Sequence, residues 1–133
     1  MNMSVKLEIT MPEGDKYKAV MNHWLPRLLG SDDTVYGETA YFRLRFFDDN
    51  SLAGPSAGHL GHGGVHVRQF RALKKKVGIF AYIAWPFVWI WNSLFGGGTM
   101  EAQADLYAEM NKTHPTLVNQ YTMLRSMFHK SSY

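Results

Sequence analysis

The feature that most limits what this chain can become is the uncharged stretch from Val77 to Phe95, in which Asn92 and Ser93 are the only clearly polar side chains. As a helix rising 1.5 Å per residue it reaches roughly 28 Å, close to the hydrocarbon thickness of a bilayer. A single segment in lipid has to satisfy its own backbone, and only a helix does that. The alternative is a helix buried on every side in a water-soluble core. A chain of 133 residues leaves little material to surround it. The expectation is a mainly α membrane protein with a single transmembrane helix over 77–95.

Arg68, Arg71, Lys74, Lys75 and Lys76 stand directly before this stretch, and Glu101, Asp105 and Glu109 follow it. The Lys/Arg excess places the N-terminal side on the cytoplasmic or matrix face, with these five cations setting topology and meeting anionic lipid headgroups. Within the span, Pro86 removes the N–H that would bond the Tyr82 carbonyl, so a kink and a carbonyl in need of another donor are expected. Tyr82, Trp85, Trp89 and Asn92 share one side at spacings of three and four. With Pro86, they are expected to pack on helices of other subunits. Trp89 and Trp91 suit interfacial anchoring equally well.

The arms on either side read as short elements. Val5, Leu7, Ile9 and Met11 alternate with Lys6, Glu8 and Thr10, the period of a half-buried strand closed by Pro12 and Gly14. From Asp15 as N-cap, Tyr17, Val20, Met21, Trp24 and Leu28 recur at helical spacing up to Gly30. Residues 31–37 read as a loop, and Phe42, Leu44 and Phe46 alternate with Arg43 and Arg45 as a second strand. Strand, helix and strand make an N-terminal arm over 1–47, and a Gly/His-rich extended linker over 48–67 joins it to the basic flank, 68–76. After the span, Gly96, Gly97 and Gly98 break the helix. Residues 96–133 then hold two amphipathic helices, one from Thr99 to about Lys112 and one opened by Pro115. In the first, Glu101, Asp105 and Glu109 form an acidic face, with Leu106, Tyr107 and Met110 on an apolar one. In the second, Leu117, Tyr121, Leu124 and Phe128 form an apolar stripe.

Several kinds of chemistry are excluded or disfavoured. The chain has no cysteine, so it has no disulfide, thiolate metal site or cysteine nucleophile. A net charge of +3 with its cations clustered before the apolar stretch does not describe a nucleic-acid surface. Residues 1–10 form neither a secretory signal core nor an Arg-rich leader. The glycine run lacks the Gly-Lys-Ser/Thr of a phosphate loop, and Asp48 with Asp49 reads as a solvated turn. His59, His62 and His66 are the candidate metal ligands, since imidazole is a common one. The glycines between them weigh against a regular ligand face, and no carboxylate stands nearby in sequence. No metal, cofactor, small-molecule substrate or catalytic residue is therefore expected.

Gly63, Gly64, Val65, His66, Arg68, Gln69 and Phe70, continuing into Trp85-Pro86-Phe87-Val88-Trp89-Ile90-Trp91, resemble the AGGG subunit of mitochondrial respiratory complex I over about 58–95. The resemblance implies a noncatalytic accessory subunit of the proton-pumping membrane arm in the inner mitochondrial membrane. It would be single-pass, with the N-terminal arm in the matrix, the C-terminal helices in the intermembrane space, and other subunits and the bilayer as partners. An accessory subunit of cytochrome c oxidase or ATP synthase meets the same physical constraints. A small His-ligated membrane metal or haem protein and a membrane-active effector are the readings from other classes.

Overall fold

The computed structural model describes residues 5–21, 33–42 and 56–131. Val5–Thr10 forms β1, as the alternation requires, with Ile9 and Met11 buried beside exposed Lys6 and Glu8. The helix expected from Asp15 is instead a strand, β2, over Lys16–Met21. Gly14 at φ 99° closes a tight turn in which the Met11 N–H donates to the Asp15 carbonyl at 2.7 Å. The chain thereby reverses before a helix can start. Tyr17, Ala19 and Met21 then alternate inward against Lys16 and Lys18. Trp24 and Leu28, which carried the helical period, lie outside the described residues.

Asp33–Tyr36, expected to be loop, is β3, and it turns through Gly37 and Glu38 into β4, Thr39–Phe42. The second strand expected around 42–46 thus ends where it was to begin. Residues 43–50 lie outside the described residues. The sheet order is β1-β2-β4-β3, with β2 and β4 parallel and both outer pairs antiparallel.

The largest departure is the stretch expected to be an extended linker. Ser56–Val77 is one helix, α1, and its Gly/His-rich half is the centre of the molecule. It packs on the sheet through β2, β3 and β4 and on three further helices. A methyl group at Gly64 would come 2.2 Å from Met11 Sδ, and one at Gly58 3.1 Å from the Ala108 carbonyl oxygen. Residues that read as flexible are there because neighbours on opposite sides of the helix need the space.

At Gly78, φ 64°, the helix ends in a 3-10 turn, Gly78–Phe80, and the chain folds back as α2, Ala81–Leu94. Tyr82 and Trp85 stack on Phe70, and Trp89 lies on His66, so α2 runs antiparallel to α1. The stretch Ala57–Leu94 is long and apolar enough to cross a membrane, by length and composition. The face formed by Tyr82, Trp85, Trp89 and Asn92 is an inward one, as the spacing suggests. Within this chain its contacts are α1, β3 and the next helix. Pro86 itself is exposed. The carbonyl it leaves at Tyr82 accepts a hydrogen bond from the Tyr36 hydroxyl at 2.7 Å.

Thr99–Asn111 is α3 and Pro115–Ser131 is α4, both within a residue of expectation where they begin. Asn92 caps α3 from the preceding helix, its Oδ1 accepting the Met100 N–H at 2.9 Å. Leu117, Tyr121 and Leu124 of α4 are buried. In α3 the expected division into an acidic and an apolar face holds only in part, with Tyr107 packed on the core and Glu109 exposed. Leu106 and Met110 are exposed, and Glu101 and Asp105 turn toward α1. The two arms expected on opposite sides of a bilayer touch. Gln120 of α4 pairs its amide with both the N–H and the carbonyl of Thr10 at 2.8 and 2.7 Å, and Tyr107 of α3 donates to Glu13.

The Tyr36–Tyr82 bond and the proline that makes it necessary form a testable couple. Tyr36→Phe is expected to cost about 0.5–1.5 kcal/mol in chemical denaturation. The same change in a Pro86→Ala background is expected to cost less, because the restored backbone N–H takes the Tyr82 carbonyl. Equal costs in the two backgrounds would remove this account.

Candidate metal centre

His62 and His66 are four residues apart on α1 and therefore project from one face, a consequence of the helical path through the glycines. The first turn of α3 brings Glu101 across both. Its Oε1 lies 2.7 Å from His62 Nε2, and its Oε2 lies 3.0 Å from His66 Nε2. One ligand atom from each of the three falls within 4.8 Å of the others. His59, one turn earlier, is not part of this group. The reading of the three histidines as a glycine-broken triplet without a carboxylate is thus corrected on both counts. The helix is regular, and the carboxylate arrives from a distant part of the sequence.

The protonation of His66 follows from its neighbours. The Gln69 amide nitrogen donates to the Met100 carbonyl at 3.0 Å and to Gln103 Oε1 at 2.8 Å, which fixes Gln69 Oε1 as an acceptor. That oxygen is 2.8 Å from His66 Nδ1, so Nδ1 carries the proton. The ring's Nε2 then faces a Glu101 carboxylate oxygen 3.0 Å away. Two acceptors this close need a cation, either a second proton on the ring or a metal ion between them. His66 is buried, its ring against Trp89 at 4.8 Å and against His62 at 4.7 Å between centroids. His62 also has Asp105 Oδ1 at 3.0 Å. Hydrogen bonds from His62 and then His66 hold the Glu101 carboxyl well below the usual carboxylate range, against the opposing effect of burial.

Two His on one helical turn plus a Glu from another helix is a ligand set that binds zinc. In the H-E-x-x-H arrangement of metalloproteases, the residue after the first His is the glutamate that takes a proton from metal-bound water. Here that position is Gly63. A methyl group there would stand 3.0 Å from Phe42 Cζ and 3.4 Å from Ala40 Cβ, so the sheet fills the space.

The basic flank is divided. Arg68 binds Asp15 through Nε and Nη2 at 2.8 and 2.7 Å and reaches Glu13 at 2.5 Å. Arg71 donates to Glu38 and to the Lys16 carbonyl, and Lys74 to Glu38. These three, expected to meet lipid headgroups, pin α1 to the β1–β2 turn and the β3–β4 turn. Lys75 and Lys76 are exposed. Of the residues that carry the resemblance to the AGGG subunit, Gly63 and Gly64 lie against the sheet, His66 and Gln69 in the cluster, Arg68 on the hairpin and Phe70 in the core, while Phe87, Ile90 and Trp91 are exposed. Glu101 and Gln69 are the site residues the sequence reading missed. The signal for them was the four-residue His spacing together with an acidic face on a neighbouring helix.

No protein family, curated protein or solved structure matches the chain.

Next to the centre, Tyr107 and then Arg68 hold the Glu13 carboxyl below its ordinary value, and Arg68 does the same for Asp15. Burial, then the hydrogen bond to Glu13, pushes the Tyr107 hydroxyl up to about 12. Carboxyls depressed in the folded state stabilise it above their unfolded pKa of about 4, and that contribution is lost as pH falls through the depressed values. Stability is therefore expected to drop as pH falls below about 4. Arg68→Gln is expected to lower stability at neutral pH and flatten that acid limb. Parallel acid limbs in the two proteins, followed by urea denaturation across pH, would contradict the assignment.

Proposed function

We propose that this chain is a noncatalytic metal-binding protein in which His62, His66 and Glu101 hold one divalent ion of the zinc class and thereby tie α3 to α1. The observation that carries the reading is the Gln69 bridge. It holds Nδ1 as the donor to Gln69 and leaves Nε2 facing Glu101, as a hydrogen-bonded outer partner does for a metal-ligating histidine. Imidazole nitrogen with a carboxylate suits zinc better than calcium or magnesium, which favour all-oxygen sets. Gly63 in place of a proton-accepting glutamate separates the site from the hydrolytic use of the same ligands.

A second reading is favoured by the exposed apolar side chains of α2. It takes the chain as an accessory subunit of a multisubunit membrane assembly, such as the membrane arm of respiratory complex I in the inner mitochondrial membrane, whose neighbours cover that surface. Cytochrome c oxidase and ATP synthase are other possible hosts. Blue-native separation with mass spectrometry distinguishes these readings. Comigration with respiratory subunits supports the second, and migration as a free small protein removes it.

The metal reading predicts about one equivalent of zinc by elemental analysis of the purified chain. It also predicts a tetrahedral cobalt absorption spectrum after exchange, and a thermal midpoint that rises with added zinc. Stabilisation at a thousandfold excess over the dissociation constant is about 4 kcal/mol. Glu101→Gln and His66→Ala are expected to abolish all three signals. Gln69→Ala is expected to weaken zinc binding about 10–100-fold while leaving the ligands in place. A chain that retains no metal and whose midpoint ignores zinc would falsify the proposal.

A further inference from the structure

The side of α2 turned away from the histidines is bare. Ile83, Phe87, Ile90 and Leu94 recur at spacings of four and three, each more than half exposed, and Ile79 and Phe80 extend the row through the 3-10 turn. At the end of that row, Lys75 and Lys76 are exposed and have no ion-pair partner among the described residues. Lysines beside a row of aliphatic and aromatic side chains match an anionic bilayer, whose phosphates meet the ammonium groups while its acyl chains receive the apolar row.

How α2 meets such a bilayer is limited by what holds its two ends. The first turns are tied to β3, where the Trp85 indole donates to the Val35 carbonyl at 3.0 Å and the Tyr36 hydroxyl to the Tyr82 carbonyl. The last turn is tied to α3, where the Asn92 amide donates to Thr99 Oγ1 and accepts from the Met100 N–H. Both anchors belong to one body, since α3 and the sheet each pack on α1. A crossing would carry one anchor to the opposite side of the membrane. As a helix of 14 residues, α2 also reaches only about 21 Å against roughly 30 Å of hydrocarbon.

We infer that α2 seats its outer face in one leaflet of an anionic phospholipid bilayer, with Lys75 and Lys76 at the headgroups and both ends of the helix on the same side. The row Ile83–Phe87–Ile90–Leu94 enters the acyl region. The inward row, Tyr82, Trp85 and Trp89, stays on the protein and keeps the histidine cluster on the water side of the helix. This attachment does not depend on a metal being bound.

The chain has no cysteine, so single cysteines report topology directly. Full-length protein is mixed with sealed vesicles of phosphatidylserine and phosphatidylcholine, or of phosphatidylcholine alone, and followed by flotation. Binding is expected to the anionic vesicles and to weaken about 30-fold in the Lys75→Gln/Lys76→Gln variant, from about 1 kcal/mol per lysine. Ala72→Cys and Ala102→Cys, before and after α2, are both expected to react with a membrane-impermeant maleimide added outside. Phe87→Cys is expected to react in solution and become protected on the vesicles, and Ile90→Cys repeats that measurement should Phe87→Cys fail to fold by circular dichroism. Three results overturn the inference. These are no flotation, one of the two end cysteines sealed inside the vesicle, and Phe87→Cys protected without lipid in a species that sediments as a dimer or larger.

Discussion

A helix can be enclosed by a sheet on one side and other helices on the other only if its own side chains leave room. In α1, Gly63 and Gly64 bring the backbone onto Phe42, Ala40 and Met11, while Gly58 and Gly61 bring it onto α3 and α4. Native packing leaves almost no free volume, so each such approach is set by the missing methyl group. The histidine cluster depends on this arrangement. Glu101 reaches both imidazoles because α3 lies so close to α1 that Ala108 would nearly touch a side chain at Gly58. A helix of ordinary composition would hold α3 farther out, and the trio would open.

The same glycines explain which parts of the fold were legible in the sequence. β1 was readable because Leu7, Ile9 and Met11 alternate cleanly with polar residues, and α4 because Leu117, Tyr121 and Leu124 repeat at helical spacing. The inward face of α2 was readable for the same reason, from Tyr82, Trp85, Trp89 and Asn92. The centre of α1 was not, because local propensity counts glycine as a helix breaker and cannot register the tertiary contacts that require it. In β2, Tyr17 and Met21 fit two periods at once, and the tight turn at Gly14 decided for the strand. The candidate site was legible in half. His62 and His66 were visible, while Glu101 was missed because it lies 35 residues from His66 and only the approach of α3 to α1 brings them together. In α3, Glu101 turned toward α1 while Leu106 and Met110 took exposed positions.

Electrostatics divides the cations before α2 into two groups with different physical roles. Arg68, Arg71 and Lys74 are satisfied by Asp15, Glu13 and Glu38, which sit in the two hairpin turns. Such pairs, partly exposed, contribute modestly to stability one at a time, but here they fix the orientation of α1 across the sheet. That orientation aims one face of the helix at Glu101. A charge cluster that reads as a topology signal in sequence is thus largely a set of contacts between the helix and the sheet. Of the five, Lys75 and Lys76 have no carboxylate partner among the described residues.

Packing and chemistry converge at a single residue, Gly63. The position after the first ligating histidine is where a hydrolytic site of this ligand set keeps its general base. It is also the position where β4 presses closest to the ligand-bearing half of α1, with Phe42 filling the space that a side chain would need. A glutamate at 63 would need Phe42 and Ala40 to withdraw, and both are fully buried core residues whose retreat would open the sheet–helix interface. The close sheet–helix contact and the general base therefore compete for the same volume. In this chain the contact occupies it, so position 63 cannot present a carboxylate beside His62, His66 and Glu101 without opening the interface between sheet and helix.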